Sequence, residues 1–346
     1  MERKRKVGVV LFQLGGPDSP EAVEPFLYNL FCDPDILDLP LGALMRKPLA
    51  KWISLRRARK AAEHYAEIGG GSPIGLLTER QARALEQALA PHLEARVVVA
   101  MRYWKPFTAD AVAALEPLPL EEIILLPLYP QYSRATTGSS LNEWKRRYRD
   151  RGIPVRLVEH YCDHPLLVEA FVRKINTALG HFRRGDNVHL IFSAHSLPIS
   201  FVQRGDPYPR QVETTTRLVM ERGGWPNAHT VCYQSKVGRQ HWLEPSLHDT
   251  IEQLARRGSK HLLVVPISFV TEHVETLHEI NIEAREQARQ VGVEKFAMMP
   301  ALNSSPEFIA CLADLVLRAA GAEQVSSTRA QAAGSRCAST KGCESA

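Results

Sequence analysis

Eight short apolar runs punctuate the chain. KVGVVLF, ARVVVAM, EEIILLPL and PVRLVEH lie in the first half; NVHLIFSAH, AHTVCYQS, KHLLVVPISF and EKFAMMPA lie in the second. Most are continuously apolar rather than alternating, the pattern of parallel strands buried on both faces. Stretches of helical period separate them. In TERQARALEQALAPHL, Thr78 to Leu93, the threonine suits an N-cap; in DTIEQLARRG, Asp249 to Gly258, the glycine suits a stop. Such alternation implies an α/β fold. The strands divide four and four, and the halves echo each other. VVLFQLGGPDSPEAV parallels HLIFSAHSLPISFV, and ILLPLYPQYS parallels LVVPISFVTE. The expected organisation is two similar doubly wound domains, 1–150 and 151–320, followed by a flexible cysteine-containing tail, 321–346, that lacks hydrophobic period. In such sheets ligands bind beyond the carboxyl ends of the strands.

Composition narrows the class. The 346 residues are 45% hydrophobic and 23% charged with a net charge of +5, an ordinary soluble balance that is too mild to suggest nucleic acid. The N-terminal MERKRKVGVVLF is basic and then apolar, but its apolar run is short and no small-residue cleavage site follows, so a signal peptide is not expected. No run approaches the ~18 apolar residues of a membrane span. A cytoplasmic protein is the expectation, its six scattered cysteines being thiols or metal ligands rather than disulfides.

Candidate chemistry clusters at strand ends. In FSAHSLPISFVQRGDPYP, an apolar strand stops at His195 and breaks into proline and glycine, which places the imidazole at the mouth of the sheet. In FVTEHVETLHEINIEA, Glu275, Glu279 and Glu283 fall at i, i+4 and i+8, so on one helical face, with His273 and His278 nearby. A solvated acidic face is the plain alternative. Against it, like charges four apart disfavour a helix by a few tenths of a kcal/mol per pair, and no lysine or arginine alternates with them. Carboxylates with imidazoles suit a divalent cation or a proton relay. There is no HExxH, so a zinc protease is not indicated. YAEIGGGSPIG is neither a Walker loop nor GxGxxG, and reads as a ligand-covering loop or a plain connection. QYSRATTGSSLNEW is a hydroxyl-rich loop. LPLGALMRKPLAKWISLRRARK, Leu39 to Lys60, interleaves apolar and basic residues. A membrane-surface patch, a mouth for a flat apolar ligand with acidic groups, and an ordinary amphipathic helix all remain open for it.

Taken together, LFQLGGPDSPEAVEPFLYNLFCDPDIL, YAEIGGGSPI, MRYWKPF, LPLYPQYSRATTGSSLNEW, FSAHSLPISFVQRGDPYP, YQSKVG with WLEPS, and VPISFVTEHVETLHEINIE resemble the ferrochelatase family over about residues 6 to 320. The resemblance implies two Rossmann-like domains with a porphyrin cleft between them, and a lyase inserting Fe(II) into protoporphyrin IX at the end of haem synthesis. Coproporphyrin III, or another tetrapyrrole and metal, is the alternative substrate, and a non-catalytic haem carrier is the alternative class. It further implies that His195 and Glu275 form the catalytic, metal-holding pair and that Glu279 and Glu283 relay protons or metal. Leu14, Tyr65, Ser72, Arg102 and Tyr103 then touch the porphyrin, and peripheral membrane contact fits the Leu39 to Lys60 segment. Some members carry a [2Fe–2S] cluster, which needs four ligands. The candidates here are Cys337 and Cys343 in the tail, with Cys162 and Cys311 from the body. The fit is incomplete, since Arg134 stands where animal-type members place their body cysteine.

Overall fold

A computed structural model describes residues 3–36, 42–236 and 240–321, with only the backbone for 42–44. All eight apolar runs are strands. They form two parallel four-stranded sheets, ordered β2-β1-β3-β4 and β6-β5-β7-β8. The first holds β1 (Lys6–Gln13), β2 (Glu94–Met101), β3 (Glu122–Pro127) and β4 (Val155–Leu157). The second holds β5 (Val188–His195), β6 (His229–Gln234), β7 (His261–Pro266) and β8 (Lys295–Met298). The strand order repeats, so the sequence echo reflects a repeated topology. β4 lies past residue 150, the expected boundary, so the first sheet takes its last strand from beyond it.

The two faces of each central strand feed different cores. Val7, Val9 and Leu11 of β1 join Leu190, Phe192 and Ala194 of β5 in one cluster that runs through both halves. Val10 and Phe12 pack on the other side of the first sheet, and Ile191, Leu262 and Val264 on the other side of the second. Burying a leucine- or phenylalanine-sized side chain contributes roughly 1.5–3 kcal/mol. A shared central core therefore resists separation of the halves.

Local expectations shift in three places. The helix expected from Thr78 to Leu93 runs Ile74–Leu89; Thr78 lies inside it, its hydroxyl donating to the Ile74 carbonyl one turn back at 2.6 Å rather than capping. The helix expected at Asp249 starts at Leu247, because Ser246 accepts the Asp249 N–H at 3.0 Å; it ends at Arg256, with Gly258 left-handed at φ +85°. The acidic segment Glu275–Ala284 is a π-helix, and a second π-helix, Arg134–Gly138, follows β3 as this one follows β7. π-turns are rare and recur at functional sites.

Candidate functional site

The chemistry begins at the last residue of β5. The His195 main-chain N–H donates to Ser268 Oγ at 3.1 Å, and its Nδ1 lies 2.6 Å from the Ser196 carbonyl. Nδ1 therefore carries a proton, and Nε2 faces Glu275 Oε1 at 3.6 Å. The other oxygen of Glu275 lies 3.7 Å from His273 Nε2, and His273 Nδ1 donates to the Thr271 carbonyl at 3.0 Å. Two imidazoles, each oriented by a backbone carbonyl, thus aim Nε2 at one carboxylate. Glu275 Oε2 is buried and has no hydrogen-bond partner within the protein. Such an orphan acceptor between two nitrogens is suited to a cation.

Electrostatics agree with the geometry. Burial pulls the His195 pKa down, but the charge and hydrogen bond of Glu275, with smaller help from the Ser196 carbonyl and Glu279, push it up to about 9. Burial acts to raise Glu275, yet His195 and then His273 hold its carboxyl well below the usual range. Both shifts favour imidazolium and carboxylate at neutral pH. His195 stays 36% exposed and Glu275 21%, so a ligand reaches both.

Glu279 is the next carboxylate along the π-helix. It accepts the Ser235 N–H at 2.8 Å, the Ser235 hydroxyl, and Gln234 Nε2 at 3.3 Å. Burial and the charge of Glu275 raise its pKa, the Ser235 contacts opposing them. Glu283 is half exposed, 3.8 Å from His278 Nδ1; His278 Nε2 meets Glu67 at 3.1 Å and its ring stacks on His64 at 4.0 Å. Ligand atoms of His64, His278 and Glu283 lie within 4.8 Å of one another. A cavity of about 460 Å³, lined by Gln234, Ser235, Lys236, Glu279, Glu283 and neighbouring residues, opens beside this row.

The other expected residues divide. Tyr65, near the end of the helix Gly42–Glu67, is buried; that burial and the Glu275 charge raise its pKa, placing the phenol within reach of the pair's field. Ser72 locks onto the loop after β1: its N–H donates to the Pro17 carbonyl at 2.7 Å. A Cβ on Gly16 would come within 2.6 Å of Ser72 Cβ, and one on Gly71 within 2.7 Å of the Asp18 carbonyl oxygen. Both glycine-rich motifs are thus needed for the two loops to approach. Leu14 is half buried just past β1, its carbonyl accepting the Tyr103 N–H at 3.0 Å.

Arg102 and Tyr103 share one buried partner, Asp33. Tyr103 is 0% exposed and its hydroxyl donates to buried Asp33 at 2.6 Å; Arg102 reaches the same carboxylate at 3.0 Å and Ser139 Oγ at 2.7 Å. Tyr103 is thus shielded from solvent and fixed by Asp33. Cys162 and Cys311 are both buried. Burial, then Asp163, pushes the Cys162 thiol up to about 11, and burial pushes Cys311 higher still. Without a metal both thiols therefore stay neutral. Cys337 and Cys343 lie outside the described residues, as do the side chains of Leu39 to Leu44. The site residues not singled out from sequence are Gln234 and Ser235. His273 was expected beside the acidic row; for Gln234 and Ser235 the signal was YQS at a strand end.

Comparison with known proteins points the same way. The sequence profile of the ferrochelatase family matches residues 6–320. A protein named ferrochelatase from Geotalea uraniireducens (strain Rf4) is 49% identical over 320 residues, covering 92% of this chain and 99% of that one. Another from Aquifex aeolicus (strain VF5) is 47% identical over 315 residues, covering 90% and 98%. Among solved structures, SirB from Bacillus subtilis with Fe3+ shares the fold at a TM-score of 0.54 and 11% identity, covering 92% of this chain and 96% of that one.

Proposed function

The chain belongs to the ferrochelatase family and is an iron-inserting lyase, and from this premise we propose that its porphyrin is protoporphyrin IX, metallated at His195 and Glu275 to give protohaem in the last step of haem synthesis. One observation carries the site assignment: a carboxylate between two oriented imidazoles, with one oxygen left unpartnered.

The chemistry follows from the charges. Insertion removes two protons from the ring nitrogens and strips water from Fe(II). In the resting pair Glu275 keeps a proton on His195 through neutrality. An arriving dication, held by Glu275, displaces that proton by repulsion, and the freed imidazole accepts the two ring protons in turn, passing the first on before it takes the second. Glu279, with its raised pKa, takes protons from the pair, and exposed Glu283 hands them to solvent. Leu14, Tyr65 and Ser72 stand near the edge where the ring enters, and Arg102 fixes that wall from its ion pair with Asp33.

The helix Gly42–Glu67 supports a peripheral membrane role. Met45, Trp52 and Leu55 are 49%, 55% and 57% exposed beside Lys47, Lys51 and Arg56. No helix among the described residues is long and apolar enough to cross a membrane, so the proposal is a cytoplasmic-face surface contact where an apolar porphyrin partitions. A [2Fe–2S] cluster would draw on Cys337 and Cys343 of the tail with Cys162 and Cys311 of the body.

The test is anaerobic turnover of Fe(II) with protoporphyrin IX and coproporphyrin III in parallel, followed by loss of free-porphyrin fluorescence and growth of the haem absorbance. Faster turnover of protoporphyrin is expected. Turnover of coproporphyrin alone would reassign the substrate, and haem binding without metallation of either would make the protein a carrier.

A further inference from the structure

The end of β6 is built around one carboxylate. Gln234 lies in register with His195, and its side chain is fixed at both ends. Oε1 accepts the Ser193 hydroxyl at 2.6 Å, while Nε2 donates to the Glu275 carbonyl at 3.0 Å and to Glu279 Oε2 at 3.3 Å. The next residue, Ser235, has φ +66°, in the left-handed region that non-glycine residues rarely occupy. That conformation turns both its N–H and its hydroxyl onto Glu279, one to each oxygen. A plain turn here would favour glycine or asparagine, but glycine lacks the hydroxyl.

Glu279 needs this support. The charged groups that bear on it are Glu275, which repels it, and His195, which attracts it. Lys236, the cation next along the chain, faces Glu244 at 3.6 Å instead. The polar cavity is lined by Glu279 and Glu283 but not by His195 or Glu275. Glu279 is therefore the carboxylate that borders the cavity and also bears on the pair.

We propose that Ser235 and Gln234 are positioning residues that hold the Glu279 carboxylate at the junction between the polar cavity and the His195–Glu275 pair, setting the passage of the metal-side traffic without touching the porphyrin. The proposal rests on Glu279 acting as a relay, as argued above. Backbone strain at a serine and three donors converging on one carboxylate match the pattern of outer groups that orient functional ligands, whose loss commonly costs 10- to 100-fold.

Ser235→Gly keeps the left-handed backbone and the N–H and removes only the hydroxyl, so the fold is preserved. With the full chain under anaerobic turnover, Ser235→Gly is expected to lower kcat/KM for Fe(II) by about tenfold while KM for porphyrin stays within about twofold. Combined with Glu279→Ala, it should cost nothing beyond Glu279→Ala alone, because it acts through that carboxylate. Wild-type kinetics in Ser235→Gly would overturn the proposal. So would an equal loss in porphyrin KM, or losses that multiply in the double variant. If Glu279→Ala itself turns over like the wild type, the relay reading falls and the positioning role falls with it; a slow Glu279→Ala with an additive Ser235→Gly leaves the relay standing and removes only the positioning.

Discussion

Replacing Glu275 with glutamine keeps the side chain's shape and removes its charge, so it isolates what that charge does to His195. At 3.6 Å, two unit charges in an effective dielectric of ~20 interact by about 4.6 kcal/mol. The His195 pKa of about 9 lies some 2.5 units above the ordinary 6.5, about 3.4 kcal/mol in the balance between protonation states. The two figures are compatible, and Glu275 is the leading upward influence. His195 is 36% exposed, so solvent screening takes back up to about half, and the variant's imidazole should titrate about 1–2.5 units lower. NMR titration of the imidazole carbons, with His195→Ala supplying the assignment, reads this directly. The same pair links to stability with a defined sign. A histidine raised on folding stabilises fully below pH 6.5 and loses that contribution as pH rises through about 9. A depressed glutamate contributes above its ordinary pKa of 4.5 and loses it as pH falls toward its lowered value. The wild-type melting temperature should therefore decline between pH 6.5 and 9, and Glu275→Gln should lack that slope. Metallation should fall at least tenfold, about 1.4 kcal/mol of barrier. An unshifted His195 titration in a folded Glu275→Gln protein would refute the ion-pair account.

The remaining perturbations test other parts of the site. His195→Ala should abolish metallation while leaving porphyrin binding intact, read by fluorescence titration beside turnover; substantial activity in the folded variant would remove its role. Glu279→Gln and Glu283→Gln should each slow turnover less than Glu275→Gln, since water can stand in along a relay, and equal near-wild-type rates in all three would mark the acidic row as merely solvated. Replacing Trp52 and Leu55 with serine should raise the porphyrin KM and weaken binding to phosphatidylglycerol-containing liposomes; if both stay unchanged, the helix is amphipathic and nothing more.

Much of this arrangement was legible in the chain because its signals are local. Eight continuous apolar runs specify eight buried strands, and a histidine ending one of them is placed by the strand itself. Helix starts were less legible, since Ser246 and the Pro73 turn decide them and a threonine inside a helix can bond back to its own turn. The π-turn was invisible to an i, i+4 reading, because a row of glutamates at that spacing shares a face in either helix. The shared partner of Arg102 and Tyr103 was illegible for a different reason. Their contacts depend on Asp33, some seventy residues away, and nothing near RYW signals that a buried carboxylate will meet it. Gln234 and Ser235 escaped notice because their function lies in a backbone angle and in partners on two other elements.

The repeated topology lets the two strand ends be compared residue for residue. Gln13 and His195 are equivalent residues, each closing the central β1 or β5 strand of its sheet, and each sheet's next strand leads into a π-helix. In the first half the strand ends in a neutral amide. Gln13 Nε2 donates to Thr271 Oγ1 at 3.3 Å, Gln81 Nε2 donates to the same oxygen at 3.1 Å, and the Thr271 carbonyl holds His273. The first half thus spends its strand-end residue on a buried polar bridge that orients the second imidazole. A charged residue at Gln13 would be buried without a partner and would disturb that bridge at a cost of several kcal/mol. Under the proposed function the asymmetry has a use: one copy of the motif supplies the base and the carboxylate, and the other supplies the neutral scaffold that aims His273 at them.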